Sequence, residues 1–78
     1  MTYNFGNNLK LIRIYRGMTK NQLAQEIKVM ESTIHGYEER GMEPRLSILI
    51  KLAKVLKTNI DDLVFTEGTD IIHLNEKS

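Results

Sequence analysis

Between Thr19 and Glu38 the chain reads TKNQLAQEIKVMESTIHGYE, two short amphipathic stretches separated by a break of a few residues. Its large apolar positions are Leu23, Ile27, Val29, Ile34 and Tyr37. That spacing predicts a helix ending near Ile27, a buried turn residue at Val29, and a second helix that crosses the first. Ala24 stands where the two helices must touch, and its small side chain lets the backbones approach closely. A helix pair of this kind projects the N-terminal end of its second helix outward, as a reader of the DNA major groove requires.

The flanking sequence supplies partners for this pair. Asn4 is a candidate N-cap for a first helix starting at Phe5, with Phe5, Leu9, Ile12 and Tyr15 at helical spacing on one face. Gly17 ends that helix after Arg13 and Arg16, cations that favour a helix C-terminus. Thr19 caps a helix over about residues 20–27, and the next is expected over Glu31 to Glu38. Gly41 and Pro44, the one proline, mark a loop. A fourth helix over about 45–56 would turn Leu46, Leu49, Leu52, Ala53 and Leu56 inward. Asn59 caps a short fifth helix, with Asp61 and Asp62 in its first turn and Ile60, Leu63 and Val64 packing inward. The expected architecture is all-α, a compact five-helix bundle over residues 1–66, followed by a short acidic tail over residues 67–78.

Composition narrows the function classes. The chain has 78 residues, 41% of them hydrophobic, and no cysteine. Folding should bury roughly 60–65% of the unfolded surface, and helix packing must supply the core. There is no apolar run near the ~20 residues that cross a bilayer and no secretory leader, so a cytoplasmic protein is expected. Residues 1–57 carry ten Lys/Arg against five Asp/Glu, whereas residues 58–78 carry one lysine against five acids. A basic body suits a surface that meets phosphates. His35 and His73 lie far apart without ligand spacing, so no metal is expected. No glycine-rich phosphate loop or catalytic constellation is present, no cofactor is implied, and an enzyme is not expected.

Taken in order, these residues resemble the phage Cro/repressor-type, or XRE-like, helix-turn-helix family. The resemblance covers about residues 5–65. It rests on Phe5-Gly6, Arg13 before Gly17-Met18-Thr19, Leu23-Ala24, Val29, Ser32-Thr33-Ile34, Tyr37-Glu38, Pro44, Leu52-Ala53-Lys54 and Asn59-Ile60-Asp61-Asp62-Leu63. It implies sequence-specific binding of double-stranded DNA, commonly repression, by a homodimer on a palindromic operator. It also implies an orienting pair, Arg13 with Glu38, in which the arginine keeps protons for a phosphate. Glu31, Ser32, Thr33, His35 and Gly36 would then face base edges, and Arg13, Thr19, Lys20, Arg40 and Arg45 the backbone.

The chain departs from the family pattern at several places. Lys20 stands where glutamine is usual, Lys28 replaces the turn glycine, and Met30 replaces the usual cap of the second helix of the pair. Lys28 is therefore expected to adopt a left-handed conformation at a cost of about 1 kcal/mol. Gly36 replaces a long polar side chain, and Glu39 and Glu43 add negative charge beside the reading surface. The alternative is an antitoxin-like or regulatory protein-interaction module on the same fold. Its partner would bind the acidic tail, where Ile71, Ile72 and Leu74 cluster.

Overall fold

The computed structural model describes residues 4–65. Among these the backbone forms α1 (Phe5–Tyr15), α2 (Lys20–Ile27), α3 (Glu31–Glu39), α4 (Leu46–Val55) and α5 (Ile60–Val64), with no strand. The tail cluster Ile71, Ile72 and Leu74, and His73, lie outside the described residues.

The five helices close over one core. Phe5, Leu9 and Ile12 meet Leu23, Ala24 and Ile27 of α2, Ile34 and Tyr37 of α3, Leu52 and Leu56, and Leu63 and Val64. Burying each of the larger side chains contributes about 1.5–3 kcal/mol. α1 packs on α3 and α5, while α2 packs on α3 and α4. Close approach of α1 to α3 depends on Gly6, where an added Cβ would stand 2.6 Å from the Tyr37 carbonyl oxygen. Beside it the Phe5 ring meets Tyr37 edge-on, with centroids 5.8 Å apart.

Three helices end in the same way. At Gly17 (φ 74°) the Gly17 N–H donates to the Ile14 carbonyl and Met18 N–H donates to that of Arg13. The same pair of bonds recurs at Lys28 (φ 60°), toward Gln25 and Ala24, and at Lys57 (φ 56°), toward Lys54 and Ala53. Each left-handed residue satisfies carbonyls that a helix end would otherwise orphan. The strain expected at Lys28 is present, and Lys57 shares it.

Thr19 and Asn59 cap as expected. The Thr19 hydroxyl accepts from Gln22 N–H at 3.0 Å, and the Gln22 side chain accepts from Thr19 N–H at 2.8 Å, a reciprocal capping box. Asn59 accepts from Asp62 N–H at 2.7 Å.

Three expectations need correction and a fourth is extended. Asn4 makes no side-chain cap, because its ψ of 31° departs from the extended backbone of Thr19 and Asn59. Its N–H donates instead to the Val64 carbonyl at 2.8 Å, fastening the start of the chain to α5. Tyr15 is exposed, since it lies about 90° around α1 from the centre of the buried stripe. Leu46 is 65% exposed, because it sits about 70° off the stripe formed by Leu49, Leu52, Ala53 and Leu56. Arg16 reaches beyond the end of its own helix: it donates from Nε to the Leu56 carbonyl at 2.8 Å and from an η-nitrogen to that of Lys57 at 3.0 Å, closing α4.

Because a left-handed lysine is strained by about 1–2 kcal/mol, Lys57→Gly should stabilise the domain by about 1 kcal/mol. Thermal unfolding should show the midpoint rising by about 4–8 °C. An unchanged or lower midpoint would mean that the strain at this position is compensated elsewhere.

Candidate nucleic-acid interface

A buried ion pair joins α1 to the last turn of α3. Arg13 Nε donates to Glu38 Oε2 at 2.7 Å, and Nη2 donates to Oε1 at 3.0 Å. Nη1 donates to the Met18 carbonyl at 2.8 Å. The Arg13 side chain is 8% exposed and that of Glu38 is fully buried. A planar guanidinium can make this fork and an ammonium cannot. Arg13 and Glu38, the two residues paired by the family resemblance, are thus in bidentate contact. These bonds use three of the five guanidinium protons, and each η-nitrogen keeps one for the phosphate contact that the resemblance implies.

With Ile34, Tyr37 and the Glu38 side chain turned inward, the opposite side of α3 is presented outward. Glu31 and Ser32 are exposed, and Thr33 and His35 are half-buried. Met30 precedes the helix without a side-chain cap bond, so the first amides of α3 have no such partner. Glu31 is not loose: its Oε1 accepts from Asn21 Nδ2 of α2 at 3.4 Å. Gly36 departs from expectation. It is buried, because the Met42 side chain folds over it and would collide with any Cβ there.

The cations rim this surface. Arg40 follows α3 and Arg45 precedes α4, and both are exposed. Thr19 opens α2, where the capping box occupies the amides of Thr19 and Gln22 and leaves Lys20 and Asn21 to supply first-turn donors. Lys20 Nζ lies 3.1 Å from His35 Nδ1. An ammonium can only donate, so a hydrogen bond here requires the His35 tautomer with Nδ1 as acceptor and Nε2–H as donor. One contact thus joins a backbone candidate on α2 to a base candidate on α3.

Glu39, on the outward side of α3, is compensated from another helix. Lys10 Nζ of α1 is 3.0 Å from its Oε1, and this hydrogen bond, with the lysine charge, holds the carboxyl below its ordinary range. A lowered pKa means that the contact is fully present above the usual carboxylate range and is lost as pH falls through the lowered value. Lys10 and Asn21 were not foreseen, since each is paired to α3 by folding across 29 and 10 residues respectively. Among the described residues no acidic or histidine cluster could hold a metal, and no helix is long and apolar enough to cross a membrane.

A helix-turn-helix family model matches residues 9–63. The chain belongs to the Cro/repressor-type, XRE-like helix-turn-helix family. An uncharacterized HTH-type transcriptional regulator of Methanocaldococcus jannaschii is 31% identical over 64 residues, 82% of this chain and 97% of that protein. The restriction-modification controller protein C.AhdI of Aeromonas hydrophila has a similar structure, with a TM-score of 0.70 and 27% identity over 76% of this chain and 89% of that one. A transcriptional regulator from Listeria innocua shares the fold at a TM-score of 0.76 and 24% identity, over 100% of this chain and 81% of that one. Membership makes this helix-turn-helix protein a DNA-binding regulator and not an enzyme.

Glu38→Ala would strand the Arg13 guanidinium in the interior, and breaking a buried pair in this way costs about 3–5 kcal/mol. The urea midpoint should fall accordingly, and Arg13→Lys should lose much of the same stability. A loss below about 1 kcal/mol for both would assign the pair to the weak class of surface bridges.

Proposed function

We propose that this helix-turn-helix protein is a transcriptional repressor that binds a palindromic operator as a homodimer, with α3 in the major groove of each half-site. The observation that carries the proposal is the division of α3 into two sides. One is locked inward by Ile34, Tyr37 and the Arg13–Glu38 fork, while the other offers Glu31, Ser32, Thr33 and His35.

In this arrangement the hydroxyls of Ser32 and Thr33 donate to or accept from base edges, and the Thr33 methyl suits a thymine. Glu31 accepts from a cytosine amino group, steadied by Asn21. His35, held by Lys20, presents its Nε2–H as a donor. Thr19, Lys20, Arg40 and Arg45 grip phosphates, where the first turn of α2 adds its dipole. Arg13 orients α3 through Glu38, and its remaining η-protons are available to a phosphate. Two-fold symmetry places the half-sites about one helical turn, ~34 Å, apart. Occupancy of an operator by such a domain would act by excluding other proteins from the same site.

Selection of duplexes from a random pool, followed by a salt titration, tests the proposal. A palindrome should emerge, and Arg45→Ala should weaken all duplexes alike while reducing the salt slope by about 1 per subunit. Ser32→Ala should instead alter the preferred base at one position. Sequence-blind losses from both substitutions, or an operator bound by a single copy in sedimentation, would contradict it. Failure to select any sequence, together with tight binding of a protein partner, would support the interaction-module alternative.

A further inference from the structure

Gly36 lies about 200° around α3 from Ile34, on the side turned away from the core. It falls in the same outward row as Ser32, one turn earlier, and next to Glu39. A glycine there should be open, yet it is buried. Its cover comes from outside the helix. An added Cβ would fall on the Met42 sulfur and within 3.3 Å of Cγ and Cε of the same side chain.

The loop that delivers Met42 is fixed at its root. Arg40 N–H and Met42 N–H both donate to the Gly36 carbonyl, at 3.0 and 3.2 Å. Gly41, at φ 68°, reverses the chain between them. Met42 nevertheless remains 45% exposed. Its near side packs on the glycine while its far side faces the solvent that α3 faces.

We propose that Met42 is a specificity-determining residue. Carried onto α3 by the loop, its thioether takes the place of a side chain at position 36 and packs against the C5 methyl of a thymine. The chemistry favours this target over the other features of a groove. A thioether carries no charge for phosphate and makes only weak hydrogen bonds, but it is soft and apolar. The thymine methyl is the apolar feature of the major-groove edge of unmodified DNA. Gly36 and Met42 then form one device: the glycine leaves the space, and the methionine fills it with a tip free to adapt. The inference rests on α3 being the groove element, and it adds a residue that lies outside the helix.

The test removes only the methyl. In the selected operator each thymine is replaced singly by deoxyuridine, and affinity is measured for the wild type, Met42→Gln and Met42→Leu. Glutamine retains the length of methionine, so circular dichroism should show an unchanged fold. The wild type should lose about fourfold in affinity at one thymine per half-site, the worth of one buried methyl. Met42→Gln should bind the thymine and deoxyuridine duplexes equally at that position, and Met42→Leu should keep the difference. Specific operator binding in which every thymine sensitivity, or none at all, is the same in Met42→Gln as in the wild type overturns the role of Met42 and leaves the groove assignment of α3 intact. A chain that selects no operator removes the groove assignment itself, and the role of Met42 with it.

Discussion

The bidentate contact between Arg13 and Glu38 is the constraint from which the rest of the architecture follows. It joins α1 to the last turn of α3, and the third arginine nitrogen reaches the Met18 carbonyl in the connection to α2. Three consecutive segments are thereby referred to one planar group. A buried ion pair adds little net stability over a well-packed apolar substitute, because desolvation offsets the attraction. The value proposed for it is directional: the fork engages both carboxylate oxygens on the side of α3 that also buries Ile34 and Tyr37. Gly6 serves the same end by letting α1 approach the Tyr37 carbonyl.

Around that fixed axis the helix ends are closed mostly by backbone and by cations. Left-handed residues end α1, α2 and α4, and Arg16 adds two donors to the end of α4 from across the bundle. The turn at Lys28 has a direct consequence for function. Its two backbone bonds set where Val29 enters the core and hence where α3 begins. The outward face of α3 is then mild in character. Both of its acids are held, Glu31 by Asn21 and Glu39 by Lys10, which limits their repulsion of phosphate. Hydroxyls, one imidazole and a thioether remain. In the proposed complex a surface with so few long side chains would discriminate through small contacts, and affinity would lean on the rim cations, in keeping with the salt-dependent share of binding to DNA.

Much of this was legible in the sequence where the cause was local. The Thr19 and Asn59 caps, the glycine turn at Gly17, the left-handed Lys28 and the bounds of α2 and α3 depend on residues within a turn of one another. The Arg13–Glu38 pair was legible through family resemblance, although its depth was not. What escaped the sequence depends on packing across the fold. Asn4 looks like a cap but its backbone is drawn to Val64. Tyr15 and Leu46 have helical spacing but lie at the edge of their stripes. Arg16 sits at one helix end and serves another. Gly36 looks like a vacancy on the reading face until the loop brings Met42 over it, six residues later and by a chain reversal that no periodicity records.

In the proposed complex it is the outward side of α3, and not the opposite surface of the bundle, that meets DNA. Backbone amide and methyl NMR spectra recorded while the selected duplex is added locate the contact surface. Large perturbations are expected at Ser32, Thr33, His35 and the Met42 methyl, with smaller ones at Lys20 and Arg45, while Leu9, Leu52 and Leu63 stay in place. Perturbations concentrated on α4 and α5, with the α3 signals unmoved at saturation, would contradict it.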